Sequence, residues 1–428
     1  MQKLACFLLF LVSVPLAAQT IRGRVTAEGT PLPGVTVSID ELHLTTVTDA
    51  QGNYALKLPT SHRPTLRVSA ALQGFQSKSA TVTATADATQ DFALKPSFGT
   101  EITVGSRAIN AQAEKAVPVD VIPRQQIESS PSTETNQIIE KIAPSFNFPR
   151  PSLSDGTDSV RPATLRGLGP DQVLVMVNGK RQHVSALVNV NGTIGRGSSG
   201  VDLNAIPSSA IDSVEILRDG AAAQYGSDAI AGVLNVIFKS DPQPLRIDVK
   251  GGSTTHGDGA TFDTNLTGGW ALGRGTVFAA AEYRDRHPTN RALNDPRDQV
   301  KTGDAGNNAV AQPNTHWGDA YERDLLSAVN LNVPVSEDGR QIAYAFGTFD
   351  IRHGSHGGNY RRALDATDWP QIYPLGYLPL IEPRIMDDSL NAGLRGQAAS
   401  WFYDASLVYG RNKFDFYVRH SLNVSLGP

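Results

Sequence analysis

Cysteine is nearly missing from this chain of 428 residues: the one present is Cys6. It lies inside a leader-like segment, so processing would leave no thiol at all. That excludes disulfide staples and thiolate metal centres, and leaves sheet pairing and packing to hold the fold. Long apolar runs are missing too. After residue 20 no apolar segment approaches the length of about 18 residues that a membrane helix needs, so any membrane role falls to β-strands. There is no cluster of Lys and Arg, and the net charge is −4, so nothing points to nucleic acid. Aromatics are few at 7%, glycines number 39, and mean hydropathy is −0.22. These values are compatible with strands that carry polar residues on one face.

The N-terminus has the layout of a secretory signal. Lys3 precedes an apolar run over 4–14, and Pro15, Leu16, Ala17 and Ala18 lead to a cleavage point before Gln19. Residues 1–18 are therefore expected to be removed on export. Residues 19–96 read as an independent β-domain. Ile21, Gly23 and Val25 alternate with Arg22 and Arg24, and Val35, Val37 and Ile39 alternate again. Turns at Pro33-Gly34 and at Gly52-Asn53 separate short runs of period two. About seven short strands in such a length predict an immunoglobulin-like or transthyretin-like β-sandwich. Residues 97–116 read as a linker holding one β-prone run, Glu101, Ile102, Thr103 and Val104.

Residues 117–239 mix strand and helix signals. A strand ends at Pro123, and a helix is expected over 131–142, capped by Ser132 or Thr133 and stopped by Pro144. Asn178-Gly179 is a hairpin signal of type I′, because both turn positions need positive φ, and 180–184 is the returning strand. Residues 189–200 read as a flexible loop, and strands follow at 213–217 and 233–238. From residue 240 the texture changes to longer alternating segments, at 245–249, 262–272, 276–285, 324–333, 341–351, 389–396 and 401–411. Their connections alternate between tight turns and long loops at 286–323 and 352–388, the asymmetry of an outer-membrane barrel. Trp270, Tyr283, Tyr344, Trp401, Tyr403 and Tyr409 are placed as interfacial aromatics.

No constellation in the chain carries catalysis. His353 and His356 form the only close histidine pair, read as a solvated pair in the second long loop without a third metal ligand. Gly167-Leu168-Gly169 lacks the rest of a dinucleotide loop. The run from Gly195 to Gly200 lacks the strand-to-helix setting of a nucleophile elbow. No catalytic residue, metal site or cofactor is expected.

Leu165 to Gln182 and Val201 to Lys239 carry the most distinctive pattern. It comprises Arg166-Gly167, the Asn178-Gly179 hairpin, Asn204-Ala205-Ile206-Pro207, Arg218-Asp219-Gly220, Tyr225-Gly226 and the run from Gly232 to Ile237. This block closely resembles the plug of TonB-dependent outer-membrane receptors. Gly23-Arg24-Val25, Pro33-Gly34-Val35, Thr48-Asp49, Gly52-Asn53-Tyr54 and Gly74-Phe75 are similar to the carboxypeptidase regulatory-like domain, which precedes the plug in one branch of that family. The resemblance implies a mainly β protein: a sandwich, a mixed α/β plug over 117–239, and over 240–428 the first strands of an antiparallel transmembrane barrel.

The resemblance also implies active uptake of a scarce ligand, a siderophore-like metal chelate, cobalamin or a carbohydrate, across the outer membrane. The partners would be the TonB C-terminal domain, outer-membrane lipid and the barrel assembly machinery. Glu101 to Val104 stand where the family has its TonB box. Arg166, Gly167, Asn178, Gly179, Arg218, Asp219, Gly220, Tyr225 and Gly226 would hold the plug fold or meet the barrel wall. Asn189, Asn191 and Arg196 would lie on an outward-facing loop near ligand. A plugged transporter barrel has about 22 strands, so the seven segments here suggest an N-terminal portion of a receptor. A surface adhesin or structural β-protein is the rival reading, one with no need of the plug pattern.

Overall fold

The computed structural model describes residues 19–27, 29–42, 44–59, 63–72, 78–94, 119–149, 156–161, 163–190, 193–218, 225–303, 309–336, 339–398 and 401–427. The chain divides into two compact units, Met1–Glu101 and Ile102–Pro428.

The first unit is a β-sandwich. In one sheet Thr20–Ala27 pairs antiparallel with Asn53–Lys57 and Thr30–Pro31, and parallel with Ala88–Thr89 and Phe92–Ala93. The other sheet runs Leu44–Val47, Thr36–Ile39, Thr65–Ala71, Lys78–Thr83. Alternate residues face inward as the period-two pattern requires. Ile21 and Val25 share a closed apolar core with Val37, Ile39, Leu66 and Val68, and Tyr54 and Phe92 are buried in it as well. Tyr54 donates its hydroxyl to the Gln90 carbonyl at 2.6 Å. At Gly23 the closing strand crosses so closely that a Cβ would lie 1.9 Å from the Gln90 oxygen.

The second unit opens with the mixed domain. Its sheet has the order Val119–Pro123, Ile211–Leu217, Gly232–Phe238, Val173–Val177, Lys180–Arg181. Val173–Val177 is buried along its whole length, as suits a strand lying between parallel and antiparallel neighbours. The hairpin turn has φ of 47° at Asn178 and 77° at Gly179. Helices Arg124–Glu128 and Thr135–Ile142 flank the sheet, the second burying Ile138 and Ile139.

Seven wall strands follow, each antiparallel to the next: Gln243–Gly252, Thr261–Leu272, Gly275–Arg286, Tyr321–Pro334, Gln341–Gly357, Leu380–Ala398 and Trp401–Arg419. They form an open sheet, not a closed barrel, and the first and last have one neighbour each among the described residues. The polarity of the wall is inverted relative to a soluble sheet. On the fourth strand Leu325 and Val329 are half exposed, while Asp324 and Asn330 are buried against the plug. Apolar residues outside and polar residues inside are what a lipid-facing sheet around a polar interior requires.

Several sequence expectations need correction. The second long loop is shorter than 352–388, because the fifth and sixth wall strands extend to Gly357 and start at Leu380. Alternation of apolar residues misses these ends, where the inner face carries Arg352 and His356. The histidine pair therefore lies on a strand and not in a loop; three residues apart, its members face opposite sides, His353 exposed and His356 buried. The plug helix starts at Thr135, with Glu134 at its N-cap and no side-chain cap. Ser132 and Thr133 do not cap it; the segment before it is occupied with the wall, as described below. The short helix Arg124–Glu128 was not anticipated, and the returning hairpin strand stops at Arg181. Tyr344 is buried on the inner face and donates to Asp404 at 2.5 Å, so it is no interfacial aromatic. Within the expected loop Asn189 is tied to its far end: its amide donates to the Ser198 carbonyl at 2.9 Å, and the Gly197 amide to the Asn189 carbonyl at 2.8 Å.

Residues 19–96 expressed alone should unfold in one cooperative thermal transition with β-type circular dichroism. Gly23→Val should destabilise that unit by about 1–3 kcal/mol, the usual cost of overpacking. A variant melting with the wild type would show that the crossing over Gly23 is not tight.

Candidate functional site

The plug meets the wall through buried charge. Arg352, on the fifth wall strand, is fully buried. Its Nε donates to Asp324 at 2.9 Å and its Nη2 to Asp350 at 2.9 Å, both on the wall. Its Nη1 reaches across to the plug, donating to Asp202 and to the Ser159 carbonyl, each at 2.7 Å. Asp202 also accepts from the Asn204 amide at 3.0 Å, fixing the turn Leu203–Ala205 that follows. Burial raises the Asp202 pKa above the usual carboxylate value, and Arg352 opposes that shift.

A second junction surrounds Glu134. Arg286 of the third wall strand pairs with Glu134 of the plug and Glu322 of the wall. Arg161 of the plug lies 3.2 Å from Glu134 and 3.1 Å from Asp319, and Asn204 donates to Glu134 at 3.2 Å. Arg284 donates to Asp324 at 2.8 Å and to the plug carbonyl of Thr133 at 3.0 Å. Lys250 donates to the Ser130 and Ser132 carbonyls, each at 3.3 Å. Residues 130–134 thus serve as a docking segment. Nearby, His356 stands 3.0 Å from Asp158, whose burial pushes its pKa well above the usual range.

The interface is layered along the strands. Toward the tight turns, Phe278, Ala280, Ala328, Tyr344 and Phe346 join the apolar core of the plug. Toward the long loops, the inner face carries Glu282, Arg284, Arg286, Glu322, Asp324, Asp350 and Arg352. The hairpin belongs to the first layer. Asn178 faces Asn330 at 3.4 Å, and its side-chain oxygen accepts from the Phe238 amide at 2.9 Å. The Gly179 amide donates to Asn235 at 2.9 Å, and Lys180 pairs with Asp404 at 2.9 Å.

A third contact is titratable. His183 of the plug lies 3.0 Å from Asp387 on the sixth wall strand. Asn412 donates to the same carboxylate at 2.8 Å and accepts from the Ala186 amide at 2.7 Å. The ring lies against Gly410, where a Cβ would come within 2.4 Å of Nδ1. Burial works against the imidazolium. The hydrogen bond to Asp387 and the charges of Asp387, Asp388 and Asp202 outweigh it, so the pKa is raised above 6.5.

Other residues singled out in the sequence lie elsewhere. Arg166 adopts φ of 57° and donates to the Arg218 carbonyl at 2.7 Å, while Arg218 pairs with Asp120. Gly167 has φ of 78° and Gly226 of 94°. Tyr225 packs against the cluster of Leu174, Met176 and Leu217. These contacts lie within the plug. Asn189 is buried, against the expectation of an outward-facing position, with its backbone bonded to Ser198 and Gly197; Arg196 is exposed. Glu101 to Val104, Asn191, Asp219 and Gly220 lie outside the described residues. Among the described residues no cluster of His, Cys, Asp and Glu could hold a metal ion. The residues that sequence reasoning missed are the inner-face charges. Their signal was present as charge of period two: Glu282, Arg284 and Arg286; Glu322 and Asp324; Asp350 and Arg352.

Two outcomes follow. Arg352→Ala should destabilise the second unit by about 3–5 kcal/mol, because removing one partner strands buried carboxylates; unchanged urea unfolding of the full chain would contradict this. For His183, whose folded pKa is raised, the contribution is fully present below 6.5 and is lost as pH rises through the folded value. The difference in Tm between wild type and His183→Gln should therefore shrink from about pH 6 to about pH 9, and a difference that does not change with pH would count against the ion pair.

The chain matches two family models: a TonB-dependent receptor plug domain over residues 111–233 and a CarboxypepD_reg-like domain over 21–102. It is 32% identical over 166 residues to the ferric enterobactin receptor of Pseudomonas aeruginosa, covering 37% of this chain and 20% of that protein. It is 27% identical over 209 residues to the vitamin B12 transporter BtuB of Photobacterium profundum, covering 49% of this chain and 31% of that protein. A crystal structure of a mutant of the P. aeruginosa ferric enterobactin receptor superposes with a TM-score of 0.52 at 18% identity, over 71% of this chain and 45% of that one, a likeness of fold. The chain spans less than a third of the length of these two curated relatives. The matched family and these relatives are receptors and transporters, not enzymes. With a plug domain seated on the polar face of an open antiparallel wall and a regulatory-like domain ahead of it in sequence, the chain carries the plug of the TonB-dependent receptors and is similar to them in sequence and fold.

Proposed function

We propose that the chain works in the active uptake of a scarce ligand across the outer membrane, as a receptor whose plug is displaced by TonB. The observation that carries this is the interface itself: a plug held by buried charge against the polar face of a wall whose other face is apolar. A static structural protein has no use for a separable domain inside such a wall. The names of the relatives, which include a ferric enterobactin receptor and a vitamin B12 transporter, support a small ligand of the metal-chelate or cobalamin class; a carbohydrate is the third class that the family resemblance allows. They also support an outer-membrane location, reached through the signal at residues 1–18. Lipid and the barrel assembly machinery are the further partners this location requires.

Energy input would enter through Glu101 to Val104, binding the C-terminal domain of TonB by strand addition. A pull on that segment reaches the described plug first at Val119–Pro123. This strand lies at the edge of its sheet and pairs only with Ile211–Leu217 among the described residues. An edge strand can be peeled one hydrogen bond at a time, so it yields before the central strands do. No covalent chemistry is needed.

Peptides covering residues 97–110 should bind purified TonB C-terminal domain. Ile102→Pro should weaken binding, because proline removes a backbone donor and disfavours pairing. Equal affinity of the two peptides in a titration would move the TonB contact elsewhere.

A further inference from the structure

The described parts of the two long loops, 287–303 with 309–320 and 358–379, are tied to each other on the side of the wall away from the tight turns. Arg362 donates to the Asp298 carbonyl at 3.0 Å, and the Leu364 amide to the Gln299 carbonyl at 3.3 Å. Between the loops lies a cavity of about 580 Å³, within the range of sites for small organic ligands. Its lining is fixed before any ligand arrives. Trp317 is clamped through its backbone, its amide donating to Asn290 at 3.0 Å and its carbonyl accepting from Arg291 at 2.7 Å, yet the residue is 58% exposed. Tyr360 donates its hydroxyl to the Leu375 carbonyl at 2.8 Å. Arg361 is paired with Tyr377 through the backbone, each amide donating to the other's carbonyl at 2.8 Å.

The charge in this cavity is largely spent internally. Arg297 is held by Asp295 at 2.5 Å, and Asp365 by Arg362 at 2.7 Å. The Arg361 guanidinium makes no ion pair and no side-chain hydrogen bond among the described residues. The other lining groups are neutral donors and acceptors: Asn359, Thr315 and Thr367. A site with one available cation, an exposed indole face and several amide and hydroxyl groups suits a ligand of matching chemistry. Such a ligand has one carboxylate per ring, an apolar ring face to stack on tryptophan, and hydroxyls to exchange hydrogen bonds. A ferric chelate gathers its negative charges around one metal centre and would meet a single free cation here, whereas a uronate chain spreads its carboxylates one per ring and brings one of them to Arg361. A neutral sugar would leave that cation without a partner.

We propose that this cavity binds an acidic saccharide, a uronate whose carboxylate meets Arg361 and whose ring stacks on Trp317. The proposal rests on the uptake reading and names its substrate class. The test is a fluorescence titration of the full chain in detergent micelles with three probes: trigalacturonate, neutral galactotriose and ferric enterobactin. Trigalacturonate should bind tightest. Arg361→Gln should weaken it about tenfold, the loss expected for one charge-assisted hydrogen-bonded contact, and should leave galactotriose unchanged. Arg361→Lys should recover part of the loss, and Trp317→Ala should weaken both sugars. Each variant must melt with the wild type for the comparison to stand; should Arg361→Gln not, Arg361→Lys decides instead, a reduced preference for trigalacturonate supporting the assignment and an unchanged one overturning it. Equal binding of the two sugars, or indifference to Arg361→Gln, overturns the assignment. Tightest binding of ferric enterobactin overturns the saccharide class and leaves uptake in place. Binding of none of the probes overturns the cavity as their site, while the TonB peptide titration decides the uptake reading separately.

Discussion

The pairing of Arg352 with Asp202 across the plug–wall boundary is the constraint around which the second unit is arranged. A guanidinium with no exposed surface must find acceptors for its donors, or the fold bears the cost of an unpaired buried charge. The wall offers Asp324, Asp350 and Glu322, but these sit on the same inner face and leave Nη1 to be met from the plug. Only the plug can complete the shell, with Asp202 and the Ser159 carbonyl. Removing the plug would therefore uncover a charge cluster, and this ties the position of Asp202, and of the turn it caps, to the register of the fourth and fifth wall strands.

The same constraint accounts for local departures from ordinary helix construction. The residues before Thr135 could cap the helix by themselves. The Ser132 hydroxyl instead accepts from Lys141, the carbonyls of this segment accept from Lys250 and Arg284, and Glu134 turns toward Arg286 and Arg161. A cap is worth about 0.5–2 kcal/mol, whereas an unpaired buried arginine costs several kcal/mol. The larger effect decides where the helix begins.

The legible part of the sequence was the part written in apolar periodicity and turn chemistry. The sandwich strands follow Ile21, Val25, Val37 and Ile39, and the hairpin follows Asn178-Gly179 because a tight turn with positive φ at both positions is open to those residues and to few others. The seven wall segments were visible where Leu, Val and Phe face outward. They faded at 352–357 and 380–388, where the inner residues are charged and the outer ones are mixed. There a period of two survives in charge and not in hydropathy, so a reading tuned to apolar residues sees a loop. His356 shows the consequence: a histidine read as solvated is buried beside Asp158. The partners of Arg352 were not legible at all. Asp202 is 150 residues away in sequence, and no local pattern states which carboxylate a distant arginine will meet.

The layering of the interface bears on how the plug can be held firmly and still be moved. Toward the tight turns the contact is apolar, through Phe278, Tyr344 and Phe346; toward the long loops it is ionic. The two halves respond differently to water. Apolar contacts lose their full stabilisation once they are exposed. Buried ion pairs lose their Coulomb attraction but regain hydration of both charges, so separating them into an aqueous lumen costs far less than breaking them in a dry one. If the chain works in uptake as we propose, wetting of the long-loop side would loosen the ionic half first and leave the apolar half as a hinge on the side of the tight turns. A plug held by apolar contacts throughout would gain nothing from water entry, and one held by ions throughout would have no hinge. The division of charge and apolar surface along the wall thus lets one interface be stable at rest and separable under load.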